Sequence, residues 1–369
     1  MLKTDMNHRQ MEVMEAMRFL LVILILFIHM LPERALPVTM EFSSMGIYRI
    51  VSEGFSHNVG HIAVPCFFLF SGFFFFYKMD GNWTVNFYLT QLKKRGRTLL
   101  IPYLLWNLLC LLAIVAKNAA FHFFALETAD DLLMIRTSSW YELLWSMPVN
   151  YPLWYCRDLI CMIVLSPLFF FLFRYAKIYG LLLLMGIYLS GLETNIPGFG
   201  STAFFFFGGG AFVALNRKNI LLLCSEFRYS CALAAFIFLC IATYYTGTAG
   251  HIYAVRIFVI FGIITAVNLT EMLARHEKWK KKLCRLSVTT FFVYAIHEIY
   301  IINWLKGYFS RTALAGNGGG MLLSYFLTPC ICLIICLALY YTMYKISPHL
   351  LSVLTGGRMT SCNNHGKNG

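Results

Sequence analysis

Residues 15–30, EAMRFLLVILILFIHM, constrain the chain more than any other stretch. The run is long enough to be a membrane span, yet it carries Arg18 near its start and His29 near its end. The two lie close to three helical turns apart, so both side chains share one face, about 16 Å apart along the axis. An ionisable side chain inside a span costs about 3 kcal/mol or more, so two on one stripe need a polar interior to face. A signal peptide is the competing reading. Pro32, Glu33 and Arg34 follow instead of a small-residue cleavage site, so the run reads as a retained first helix.

Composition carries this setting to the whole chain. Of 369 residues, 59% are hydrophobic and 13% charged, whereas soluble domains hold about 45–50% apolar and about 25% charged residues. The expected fold is all-α, a polytopic integral membrane protein with about ten transmembrane helices. The candidate spans are 16–33, 61–77, 98–116, 153–173, 178–192, 199–215, 229–246, 252–272, 287–305 and 321–344. With the N-terminus inside the cell, cytoplasmic segments hold 21 of the 30 Lys and Arg, and outer loops hold six: Arg34, Arg49, Lys117, Arg136, Lys306 and Arg311. Arg18, Arg157 and Arg256 complete the set within spans. This asymmetry puts both termini in the cytoplasm. It also explains the net charge of +13 by topology, with the lipid bilayer as the partner and no nucleic acid. Residues 1–355 read as one membrane domain and 356–369, GGRMTSCNNHGKNG, as a disordered tail.

Most of the twelve cysteines lie inside apolar runs, where they read as small buried hydrophobes. Cys362 and His365 in the tail lack further ligands nearby, so no metal site is expected. The outer segment 117–152, with Glu127, Asp130, Asp131, Glu142, Trp140, Trp145 and Tyr151, reads as an interfacial cap of short helices.

Several ionisable residues can carry chemistry. A lone His29 is satisfied by a neighbouring hydroxyl or carbonyl. With Arg18 on its stripe, and Glu15 three residues before Arg18 and able to pair with it, His29 also suits proton abstraction from a hydroxyl group. Lys93, Lys94, Arg95 and Arg97 precede the third span. They anchor topology or grip an anionic, phosphate-bearing donor, and spacing alone does not separate the two. In PLWYCRDLI (152–160), Arg157 and Asp158 stand about 100° apart on a helix, so simple mutual neutralisation is not expected. Trp154 is placed to stack on Arg157. His297 and Glu298 lie mid-membrane in YAIHEIY, where two ionisable groups are costly. Arg256 carries a weaker version of that argument. Ser71 and Gly72 form a small notch in a Phe-rich helix that permits close packing.

Together these stretches resemble acyltransferase family 3, bacterial membrane enzymes that O-acylate cell-surface glycans. The resemblance rests on Arg18, ten residues and His29; on VPCFFLFSGFFFFY (64–77), KKRGRTLLIPYLLWN (93–107), PLWYCRDL (152–159), TAFFFFGGGAFVALNRK (202–218) and FFVYAIHEIY (291–300). It implies that His29 is the catalytic histidine, with Arg18 essential beside it. It also implies that Arg95 and Arg97, with Lys94, hold an acyl-coenzyme A co-substrate, acetyl-CoA being the expected form, with no permanently bound cofactor. The family's basic motif reads arginine-arginine-two residues-arginine, and this chain has Lys94-Arg95-Gly96-Arg97 instead. The acceptor is expected to be a glycan or lipid-linked glycan, and the chain a stand-alone form without a C-terminal hydrolase-like domain. Arg157 would steady oxyanion charge or orient the donor. A secondary transporter or flippase for a polar solute, using the same buried charges as a relay, is the alternative. Hydropathy shows no matching pair of broken helices, which weighs against it. A non-catalytic membrane sensor is a third reading.

Overall fold

The computed structural model describes residues 2–32, 34–38, 41–79, 83–126 and 131–358, with side chains described from residue 7. Among these residues every regular element is helical. The first helix, Leu2–Ile28, is buried on most of its circumference; Ala16, Met17, Leu21, Val22 and Leu26 are all closed off from solvent. Its apolar second half is closed in by Ser44–Phe76, His251–Ala274, Glu277–Ser287, Thr290–Ile296 and Gly318–Ile346, which pack against it.

Among the described residues four helices are long and apolar enough to cross a membrane: Ser44–Phe76, Val85–Phe123, His251–Ala274 and Gly318–Ile346. Counting each bent pair as one span gives up to seven, which makes this a multi-pass membrane protein. The pairs are Tyr151–Val164 with Ser166–Tyr175 (55°), Ile220–Glu226 with Arg228–Tyr244 (75°), and Glu277–Ser287 with Thr290–Phe309 (50°). The expected ten is reached only by adding the first helix and the shorter apolar helices Lys177–Leu189 and Ser201–Leu215. The first bend has a covalent cause. Pro167 lies in the first turn of Ser166–Tyr175, lacks an N–H, and would clash with the carbonyl four residues back in an unbroken helix.

The expected close packing at Ser71–Gly72 is present. Gly72 lies directly against the Phe207 carbonyl, and Gly210 of the facing helix lies against the Leu69 carbonyl, so a Cβ at either position would drive the backbones apart. Large apolar side chains such as Leu108, Leu112 and Ile334 point outward, as a lipid-facing surface requires. The eleven described cysteines are free thiols, all buried except Cys240 and Cys330.

Asp131–Thr137, Glu142–Ser146 and Tyr151–Leu153 are short helical pieces as expected, and Glu127 and Asp130 lie outside the described residues. At the other end the tail reading needs correction. Gly356 packs on the Thr98 backbone and Arg358 covers the Phe291 ring, so residues 356–358 belong to the folded domain. Cys362, His365 and the rest of 359–369 lie outside the described residues.

Candidate active site

Three side chains from the two ends of the sequence meet at the C-terminal end of the first helix. That helix stops at Ile28, and His29 Nδ1 lies 2.9 Å from Glu298 Oε1. The His297 ring stands 5.0 Å from the His29 ring, centroid to centroid. What brings His297 and Glu298 there is a break in their own helix. Within His297–Ile301 the backbone leaves helical geometry at Ile299 (ψ 75°) and Tyr300 (φ 64°). A non-glycine residue in the left-handed region costs about 1–2 kcal/mol, and such cost is stored where a site needs the geometry. The break is held from both sides. Asn303 Nδ2 donates to Glu298 Oε2 at 2.9 Å, and Lys306 Nζ donates to the His29 carbonyl at 2.7 Å.

The hydrogen-bond partners define the tautomers. Glu298 accepts from His29 Nδ1, so His29 Nε2 keeps its lone pair and is the basic nitrogen. His297 Nδ1 faces the Val293 and Tyr294 carbonyls at 3.1 and 2.9 Å and must carry hydrogen. Its Nε2 is buried with no hydrogen-bond partner. An unsatisfied buried acceptor costs about 1–3 kcal/mol, which marks His297 as more than packing. His29, His297 and Glu298 also offer ligand atoms within 4.8 Å of one another, a set able to hold a divalent cation.

His29 opens on a cavity of about 690 Å³, also lined by Tyr151, Trp154, Tyr188, His251 and Arg256. Aromatic faces interleaved with hydrogen-bonding groups suit a polyhydroxylated ligand. Its wall is braced by charge pairs that sequence reading missed. Arg256 bonds Glu193 at 2.5 Å and the Tyr188 carbonyl. His57, at 2.6 Å from Glu53 and 2.9 Å from the Pro32 carbonyl, donates from both ring nitrogens. His251 lies 2.7 Å from Asn58 Oδ1. Glu53, His57 and Asn58 lie in one helix, Ser44–Phe76, and the i, i+4 spacing of Glu53 and His57 was the signal available.

Two expectations are corrected. Arg157 and Asp158 do neutralise each other: Nε and Nη2 reach Asp158 Oδ1 at 2.9 and 2.8 Å. The arginine side chain is long enough to fold back over the 100° between neighbouring positions. Its Nη1 donates to the Trp145 and Ser146 carbonyls at 3.0 and 2.8 Å, which pins the Glu142–Ser146 piece. These bonds take four of its five N–H donors and leave one Nη2 hydrogen for any further partner. Among the described residues Trp154 makes no cation–π contact with Arg157; it lines the cavity instead.

Back along the first helix from His29, Arg18 lies over the Phe74 ring at 5.1 Å, and Glu15 accepts from Ser287 Oγ at 3.2 Å. Of the basic residues before the third span, Lys93, Lys94 and Arg97 are exposed, while Arg95 turns inward toward Arg18.

A histidine–carboxylate dyad beside an internal cavity in a helical membrane bundle is the equipment of a membrane transfer enzyme. The chain belongs to acyltransferase family 3: the family model, described as an acyltransferase domain, matches residues 12–341. The protein is therefore an acyltransferase, transferring groups other than aminoacyl. It is similar to the succinoglycan biosynthesis protein ExoH of Rhizobium meliloti (strain 1021), 28% identical over 360 residues that cover 93% of this chain and 91% of that protein. No solved structure matches the chain.

Proposed function

We propose that the protein O-acylates a glycan of the bacterial envelope or an exopolysaccharide precursor, drawing the acyl group, acetyl in the first instance, from acyl-CoA. The observation that carries this reading is His29 Nδ1 on Glu298 at 2.9 Å, with the other ring nitrogen free beside the cavity. The carboxylate orients the imidazole and stabilises the imidazolium, so Nε2 removes the proton of an acceptor hydroxyl as it attacks the thioester carbonyl. The thiol of coenzyme A leaves. The same nitrogen can instead take the acyl group first as an acyl-imidazole and pass it to the hydroxyl. The glycan acceptor is supported by the similarity to a succinoglycan biosynthesis protein and by the mixed aromatic and polar lining of the cavity.

The chain then crosses the bacterial inner membrane ten times, with Arg95 and residue 358 on the cytoplasmic side and His29 toward the outside. The Lys and Arg asymmetry supports this orientation. Mass spectrometry of surface glycan from strains with and without the gene tests the activity, and acyl transfer from labelled acetyl-CoA by purified protein tests the donor. Identical glycan acylation in both strains would overturn the reading.

A further inference from the structure

We propose that Arg358 completes, with Arg18 and Arg95, an anion site that receives the phosphate groups of coenzyme A. The proposal rests on the acyl-CoA reading above and adds to it a residue from the far end of the folded domain. Among the described residues none of the three arginines forms an ion pair with a carboxylate. They nevertheless stand within electrostatic reach of one another: burial first, and then the charges of Arg18 and Arg95, push the Arg358 guanidinium down to about 10. Three mutually repelling cations without a counter-ion leave a fixed positive potential inside the bundle, which an anion relieves.

The local structure is built to deliver Arg358. Trp106 Nε1 donates to the Leu354 carbonyl at 3.0 Å and anchors the end of the last helix. The chain then turns through Gly356 and Gly357, both at positive φ (62° and 78°), where a side chain would be strained. Gly356 presses on the Thr98 carbonyl, and a Cβ there would collide with it. Arg358 then lies 4.6 Å over the Phe291 ring, with Nη1 donating to the Thr355 carbonyl at 3.0 Å. Beside it, Arg95 Nε and Thr98 Oγ1 are closed off from solvent and have no hydrogen-bond partner. These two donors are one helical turn apart and so share a face. Phosphate oxygens would satisfy both, and guanidinium groups match phosphate geometry. The axial separation of Arg18 from His29, about 16 Å by helical rise, is comparable to the extended pantetheine arm that joins these phosphates to the thioester.

Calorimetric binding of coenzyme A and of pantetheine to the purified full-length protein tests the site with the acyl group removed from the question. The parent should bind coenzyme A more tightly, because pantetheine lacks the nucleotide phosphates. Arg358→Gln should cut that preference about tenfold or more, since each charge-assisted contact is worth at least that factor. Arg358→Lys should restore part of it. Gly356→Ala keeps all three arginines but displaces the turn, so it should lower the preference in the same direction and serves if Arg358→Gln does not fold. A parent that binds no coenzyme A overturns the donor reading itself. A parent that binds it, with the preference intact in Arg358→Gln and Gly356→Ala, overturns the role of Arg358 alone.

Discussion

The His29 end and the Arg18 end of the first helix treat buried charge in opposite ways. Around the cavity Arg256 pairs with Glu193, Arg157 with Asp158 and His57 with Glu53, and the His29 imidazole donates to Glu298, while exposed Arg34 also lines the cavity. At the other end of the first helix Arg18 lies over Phe74 and Arg358 over Phe291, and among the described residues neither of these nor Arg95 has a carboxylate partner. Paired charges repay part of their desolvation and hold a shape; an isolated buried charge is paid for only if a ligand brings the counter-charge. On the proposed function, the His29 end would be the preformed chamber that receives the acceptor, and the Arg18 end would keep its positive potential for an anionic donor.

The comparison can be broken at its strongest point first. His29→Ala should lower acyl transfer by about 10²–10⁴-fold or more, the contribution of a positioned general base, while insertion into the membrane is preserved. Retained transfer in that variant would remove His29 from the chemistry. Arg157→Met should act on stability instead. Removing one partner of a buried pair costs about 3–5 kcal/mol, so the protein should unfold at a clearly lower temperature in detergent. A normal unfolding temperature with a raised donor KM would move Arg157 into the group at the Arg18 end.

A smaller contrast separates the basic residues before the third span. Arg95→Gln should raise the donor's KM about 10- to 100-fold, the value of one charge-assisted contact. Exposed Arg97 and Lys94 should matter about fivefold or less, as solvated surface charges do. Equal effects at all three positions would mean that the loop acts through bulk charge. Least of all should chelation matter. The proposed step uses the His29–Glu298 hydrogen bond and no metal, so EDTA treatment followed by assay should leave the rate unchanged. A loss restored by zinc would convert the dyad into a metal site.

Much of this was legible in the chain itself. The apolar runs, the Lys and Arg asymmetry and the Phe-rich helix with its Ser71–Gly72 notch specify an all-helical membrane bundle, because hydrocarbon admits only self-satisfied backbones. Arg18 and His29 on one stripe, and His297 beside Glu298, announce themselves because ionisable groups in a span are too costly to be accidental. The sequence cannot say that these two sites are one. The joining of His29 to Glu298 depends on a backbone break at Ile299 and Tyr300 that no proline or glycine announces. The opposite error arose at Arg157 and Asp158, where angular spacing on a helix ignores how far a long side chain folds back. Arg358 was hidden for a third reason. Its neighbours Gly356 and Gly357 read as tail composition, and only packing against Thr98 and Phe291 makes them a turn that points a cation into the bundle. Composition and periodicity determine which segments avoid water; which of their rare polar groups meet is decided by kinks, turns and side-chain reach, which exist only once the helices are packed.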